Sequence, residues 1–92
     1  MTDVITRQLR IVNEKGLHAR ASARFVEVVE GFEARAEVRR DGISAAGDSI
    51  MGLLMLAASK GTSIEVQTSG PDALALADAL AVLVADRFGE DC

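Results

Sequence analysis

Apolar and polar residues change their spacing several times along the chain, and each change marks a new element. Residues 4–12 are rich in β-branched side chains. Ile5, Arg7, Leu9 and Ile11 mostly favour one side of a period-two pattern, which predicts a half-buried strand. Asn13, Glu14, Lys15 and Gly16 break that strand as a loop. From Ala19 to Glu30 the spacing becomes helical, with Ala21, Phe25, Val28 and Val29 on one stripe and Arg24, Glu27 and Glu30 outside it. Gly31 is the expected stop. Phe32, Ala34, Ala36 and Val38 then alternate with Glu33, Arg35, Glu37 and Arg39, the cleanest strand pattern in the chain. Asp41-Gly42 is a two-residue hairpin signal, because both turn positions need φ > 0. A returning strand follows at residues 43–45, then a short apolar helix at residues 50–59 that ends at Lys60-Gly61. Residues 62–68 alternate as a fourth strand. Ser69-Gly70-Pro71-Asp72 is expected to open a last helix running to about Phe88, with Leu76, Leu80, Leu83 and Val84 as its apolar stripe.

The order is β-α-β-β-α-β-α. It predicts the α+β class, with helices covering one face of an antiparallel sheet. The other face is expected to carry Arg7, Glu33, Arg35, Glu37, Arg39, Glu65 and Gln67. Phe25, Phe32 and Phe88, and most of Leu53, Leu54, Leu56 and Ala57, are expected in the core. A chain of 92 residues with no internal linker or repeat reads as a single domain over residues 1–92.

Composition narrows the function. The net charge of −4 argues against a nucleic-acid binder, which needs excess Lys and Arg to displace counterions. With one His and one Cys the chain lacks the usual metal-ligand set, and no cofactor is expected. Cys92 cannot form an internal disulfide and reads as a frayed terminal thiol. No apolar run approaches the roughly 18 residues of a membrane span, and no basic-then-apolar leader precedes the first strand. A cytoplasmic protein without membrane association is the expectation.

Any chemistry that needs an imidazole must pass through His18, where a loop becomes a helix. Free N–H groups of Ala19, Arg20 and Ala21, with the helix dipole, make an anion site. The positive potential disfavours imidazolium and leaves a nucleophilic ring nitrogen. Arg20 can fork onto phosphate oxygens, and Gly16 permits close approach. Nucleophile, anion cradle and guanidinium lie together, which suits a phosphohistidine. A hydrolytic triad is excluded, since no second His can serve as base for Cys92 or a serine. On these residues alone, a histidine that merely caps a helix beside a solvated arginine remains an open alternative.

The run Gly16-Leu17-His18-Ala19-Arg20-Ala21-Ser22-Ala23-Arg24-Phe25-Val26 resembles the active-site signature of the HPr family, the histidine phosphocarriers of the phosphoenolpyruvate-dependent phosphotransferase system. Ser49-Ile50-Met51-Gly52-Leu53-Leu54-Met55-Leu56 resembles that family's regulatory-serine region. The resemblance extends from about Val4 to Phe88. It implies an open-faced β-sandwich, with a four-stranded antiparallel sheet and three helices on one face. It further implies that enzyme I, charged by phosphoenolpyruvate, phosphorylates His18 on Nδ1, and that the group passes to a histidine of an enzyme IIA-type protein. Such a chain is a stoichiometric carrier and not a free-standing enzyme. His18 is then the acceptor, Arg20 the phosphate clamp, and the Ala19 to Ala21 backbone N–H groups supporting donors. Ser49 reads from its position as a helix N-cap. The resemblance adds phosphorylation there by an HPr kinase/phosphorylase. It also places Leu17, Arg24, Ile50 and Met51 in partner docking.

Three positions depart from the family pattern. Ala21 stands where Pro is usual, Glu27 and Glu30 lie where sugar-type members often carry Lys, and Gly52 stands where some have Lys. The less basic rim resembles the nitrogen-regulatory type. A monomer is expected, since the outer sheet face is charged and docking is transient. The alternative function is a small regulatory ligand-binding or protein-interaction module without phosphoryl transfer, which has no need of a His-Arg pair at a helix start.

Overall fold

A computed structural model of the protein describes residues 4–91. Cys92 lies outside the described residues. Four strands, β1 (Val4–Arg10), β2 (Arg35–Arg40), β3 (Ile43–Ala46) and β4 (Ser63–Ser69), form one sheet in the order β1-β4-β2-β3. Every pairing is antiparallel. Helices α1 (Ala19–Glu30), α2 (Ile50–Met55) and α3 (Ala73–Ala85) cover one face, and a 3-10 turn at Arg87–Gly89 follows α3. This is the expected β-α-β-β-α-β-α order.

The inner face of the sheet can be read row by row from the register. Arg7 faces Val66, Val66 faces Val38, and Val38 faces Ala45. Val66, Val38 and Ala45 are buried, and Leu9 and Ile64 make a second buried pair. Phe25 and Val29 of α1, Leu53 of α2, and Leu76, Leu80 and Val84 of α3 close over these rows. Each such side chain contributes about 1.5–3 kcal/mol by leaving water. Thr68, also buried on this face, donates its hydroxyl to the Ala73 carbonyl at 2.8 Å, so no buried donor is wasted. Asp41 and Gly42 both take positive φ, 50° and 78°, and close the β2–β3 hairpin with Arg40 facing Ile43. That is the turn the dipeptide predicts.

Four expectations need correction. Arg7 lies on the helix-covered side and not with the outer charged face. It sits on an edge strand, where its guanidinium reaches out to Asp78 of α3 at 3.0 Å. Helix α2 stops at Met55, not at Ser59, because Ala57 turns left-handed (φ 51°). The residues beyond then pass the 16–17 loop, where Ala58 O accepts the Leu17 N–H. Ser69 belongs to β4, and α3 starts only at Ala73. Pro71 and Asp72 therefore precede its first turn, and the Asp72 carboxylate accepts the Glu33 N–H at 2.8 Å. Finally, α3 ends at Ala85. Arg87 and Phe88 both turn left-handed (φ 56° and 55°), which drops the Phe88 ring completely into the core. Phe25 is core as expected, whereas Phe32 is half-buried and Ala57 is exposed.

Candidate functional site

The loop between β1 and α1 is shaped by its glycine. Asn13 and Gly16 close a turn through Gly16 N–H to Asn13 O at 3.2 Å, and the Asn13 side-chain amide donates back to Gly16 O at 2.8 Å. Gly16 has φ 65°, and a Cβ there would stand 2.4 Å from the Ala58 carbonyl oxygen. Only glycine lets this loop lie flat on residues 58–59. The next N–H, of Leu17, takes that same Ala58 carbonyl at 2.9 Å. The loop that carries the histidine is thus clamped to the strand of chain leaving α2.

His18 is the N-cap of α1. Its backbone is extended, its carbonyl accepts the Ser22 N–H at 2.8 Å, and its ring Nδ1 accepts the Arg20 N–H at 3.2 Å. A side chain that caps its own helix satisfies one orphan donor of the first turn. On the other side of the ring, Nε2 contacts Glu90 Oε2. These partners assign the tautomer. Nδ1 accepts, so it holds a lone pair. Nε2 faces an ionised carboxylate, which can only accept, so it holds the proton.

Glu90 is itself held. Asn13 Nδ2 donates to its Oε1 at 2.8 Å, and the left-handed turn anchored by Phe88 aims the segment back at the loop. The Asn13 hydrogen bond, followed by His18, holds the Glu90 carboxyl below the usual carboxylate range, with desolvation opposing. Asn13 is fully buried, and its Oδ1 has no partner among the described residues. An unmet buried acceptor costs about 1–3 kcal/mol.

Beside this group lies an open cleft of about 350 Å³, lined by Glu14, Lys15, Arg20, Arg24, Gly89, Glu90 and Asp91. Arg20 and Arg24 are exposed and form no ion pair among the described residues, so their guanidinium groups are free to take an incoming anion. The arrangement offers a ring nitrogen with a lone pair, backbone donors beside it, and cations at its rim.

The structure sorts the sequence-predicted site residues. His18, Arg20 and Arg24 come together at the start of α1. Ala19 is exposed, but Ala21 is completely buried, so its N–H is withdrawn from direct contact with an anion. Of the three expected donors, Ala19 and Arg20 lie at exposed positions. Leu17 is also corrected. It is 4% exposed and part of the core, because the Ala58 clamp turns its side chain inward, so it offers no docking surface. Ile50 (42% exposed) and Met51 (71%) do stand out from α2, joined by Met55. Helix α2, which carries this apolar patch, packs against α1, the helix that His18 caps. Ser49 is the N-cap of α2, its Oγ accepting the Gly52 N–H at 3.0 Å. A side chain at Gly52 would come within 3.1 Å of both Ala45 Cβ and that Oγ, which makes glycine a tight fit here.

Sequence reasoning missed Asn13 and Glu90. Asn13 reads as an ordinary loop residue, and Glu90 follows the last predicted helix with nothing to mark it. Their roles depend on the left-handed turn at Arg87 and Phe88, a conformation that neither residue type signals.

Comparison with known proteins bears on the same region. Residues 5–86 match the family model described as the PTS HPr component phosphorylation site. Phosphocarrier protein HPr of Cupriavidus necator is 41% identical over 87 residues, covering 95% of this chain and 98% of that protein. Phosphocarrier protein NPr of Escherichia coli K12 is 35% identical over 88 residues, covering 95% and 98%. The crystal structure of HPr-C-His from Thermoanaerobacter tengcongensis superposes with a TM-score of 0.90 at 32% identity, covering 96% of this chain and 99% of that one. Fold, motif and full-length similarity agree: the chain belongs to the HPr family, the phosphocarrier proteins of the phosphotransferase system.

Proposed function

We propose that His18 accepts a phosphoryl group on Nδ1 from phosphorylated enzyme I and passes it to a histidine of an enzyme IIA-type protein. The observation that supports this most strongly is the orientation of the ring. Nδ1 presents its lone pair at the helix start, beside the Arg20 N–H, while Arg20 and Arg24 line the cleft next to Glu90. In the transfer the Nδ1 lone pair attacks phosphorus while the P–N bond to the donor ring breaks. The Arg20 N–H, now without its acceptor, is placed to donate to a phosphate oxygen, as is that of Ala19. The Arg20 guanidinium forks onto the remaining charge. These groups exist before the phosphate arrives, so little reorganisation is needed. The test is to add phosphoenolpyruvate and enzyme I and to look for an acid-labile, base-stable adduct. Its absence, or its survival in His18→Ala, overturns the proposal.

Docking on both partners uses the exposed Ile50 and Met51, with Arg24 at the rim. Methionine suits a surface that must fit more than one partner. Glu27 and Glu30 are exposed on α1, and Gly52 leaves no cation on α2. This charge pattern favours an acceptor of the nitrogen-regulatory IIA type over an acidic sugar-type IIA. Equal or faster transfer from the phosphorylated chain to a sugar-type IIA rejects that part.

Ser49 is the regulatory site of the same reading. Phosphorylation by an HPr kinase/phosphorylase would add about −1.5 to −2 charge at the start of α2, next to Ile50 and Met51. The helix dipole tolerates that charge, whereas an apolar interface does not. Mass spectrometry after incubation with the kinase should find the phosphate on Ser49, and an unmodified Ser49 refutes it. The carrier acts as a cytoplasmic monomer, which sedimentation at working concentration checks.

A further inference from the structure

The contact between His18 and the C-terminal segment reaches the ring nitrogen that does not react. Glu90 Oε2 sits on Nε2, and its Oε1 is taken by Asn13, whose own side chain is fully buried and tied by a second bond to Gly16 O. Glu90, more than 70 residues away in sequence, therefore joins Asn13 and His18 of one loop into a single chain of contacts ending on His18. We propose that Glu90 is a positioning residue that keeps the proton on Nε2, that Asn13 positions Glu90, and that together they set how readily a phosphoryl group leaves Nδ1. This inference rests on the phosphocarrier reading above.

The chemistry follows from the leaving group. In an Nδ1-phosphorylated ring that carries a proton on Nε2, the P–Nδ1 bond breaks with its electron pair returning to Nδ1. The Nε2 proton stays, and the ring departs as neutral imidazole. The phosphoryl group bonds to an acceptor imidazole nitrogen, or to water, both of whose protons remain with the phosphate. Without the Nε2 proton the ring must leave as an anion, which is far less favourable. An ionised carboxylate on Nε2 favours the protonated phosphoimidazole and hence transfer. The depressed pKa of Glu90 means that it is ionised at neutral pH. The buried Asn13 amide fixes the carboxylate with both of its oxygens occupied, so it has little freedom to swing onto Arg20 or Arg24.

Glu90→Gln keeps size and a hydrogen-bond acceptor but removes the charge. The wild type, Glu90→Gln and Asn13→Ser are phosphorylated with phosphoenolpyruvate and enzyme I, and, independently of any docking, with phosphoramidate. The half-life of the phosphohistidine is then followed across pH. Other charges around the cleft, on Glu14, Lys15, Arg20, Arg24 and Asp91, are common to all three proteins and set the background. Loss of one opposite charge at contact distance predicts a half-life about tenfold longer at pH 7 in Glu90→Gln, with the acid limb of the profile displaced by about 1 pH. Asn13→Ser should move both in the same direction by less. An unchanged half-life and profile in Glu90→Gln overturns the inference. A wild-type chain that takes no phosphoryl group on His18 instead overturns the carrier reading. In that event ¹⁵N NMR of the unmodified ring still decides the positioning claim: the Nε2–H tautomer should dominate in the wild type, and a dominant Nδ1–H tautomer refutes it.

Discussion

Replacing Gly16 with alanine isolates the contact that holds the histidine loop in place. The substitution acts in two ways. An L-residue at φ 65° carries a left-handed penalty of about 1–2 kcal/mol. The new Cβ would also meet Ala58 O at 2.4 Å and Ser59 Cα at 2.9 Å, both backbone atoms that cannot swing aside. Relief of such overpacking costs about 1–3 kcal/mol. The sum is about 2–5 kcal/mol. In a domain of this size each kcal/mol lowers the midpoint of thermal unfolding by about 4–8 °C, so Gly16→Ala should melt roughly 8–40 °C below the wild type. Gly42→Ala is the control. It has φ 78° but nothing within 4 Å of its Cβ position, so it carries the conformational penalty alone. Its midpoint should fall by roughly 5–15 °C. Calorimetry on the three proteins gives the comparison, and the amide resonances of Leu17 and Arg20 report whether the loop has lifted. If Gly16→Ala melts within about 3 °C of Gly42→Ala, the close approach to Ala58 is not what shapes the site.

Other outcomes follow from single residues. Ser49→Ala removes the bond from Gly52 N–H, and denaturant unfolding should find a loss of about 0.5–2 kcal/mol. Arg87→Gly relieves a left-handed penalty of about 1–2 kcal/mol at an exposed position against a glycine entropy cost of roughly 0.5–1 kcal/mol, so the same assay should find a net gain of up to about 1 kcal/mol. Glu90 is acidified in the folded state, so its contribution is fully present above its unfolded pKa of about 4.5 and is lost as pH falls through the lower folded value. Titration by NMR from pH 7 to 3 should therefore show the Asn13 side-chain amide resonances moving with Glu90, whereas Asn13 resonances that stay fixed while Glu90 titrates refute their coupling.

Much of the architecture is legible in local patterns because those patterns are set by burial. The alternation around Val38 and the helical stripe through Phe25 and Val29 each mark a face that must leave water, and both elements form as their periods require. Asp41-Gly42 is legible for a different reason, since few residue pairs accept its backbone angles. The places that mislead lack such a signal. Nothing in the apolar run 50–59 announces that Ala57 will turn left-handed, since the cause is the clamp between Ala58 and Leu17, which joins distant parts of the chain. Arg7 occupies an inward position because an edge strand lets its long side chain reach Asp78. At the site, His18, Arg20 and Arg24 share one helix start and are read together. Glu90 meets them only through the turn at Phe88, 77 residues from the Asn13 that holds it, and nothing local marks Asn13 as its partner.

On the proposed reading, the site is a histidine whose two nitrogens have opposite tasks. Nδ1 is kept open by a donor that a phosphate oxygen can later take over, and Nε2 is kept protonated by a buried-side carboxylate. Gly16 supplies the loop geometry, α1 the donors and cations, and the turn after α3 the acid. The most direct test of this account is ³¹P and ¹⁵N NMR of the chain after incubation with phosphoenolpyruvate and enzyme I. One phosphohistidine is expected, on Nδ1 of His18, absent in His18→Ala. A phosphoryl group on Nε2, or on any residue other than His18, would contradict it.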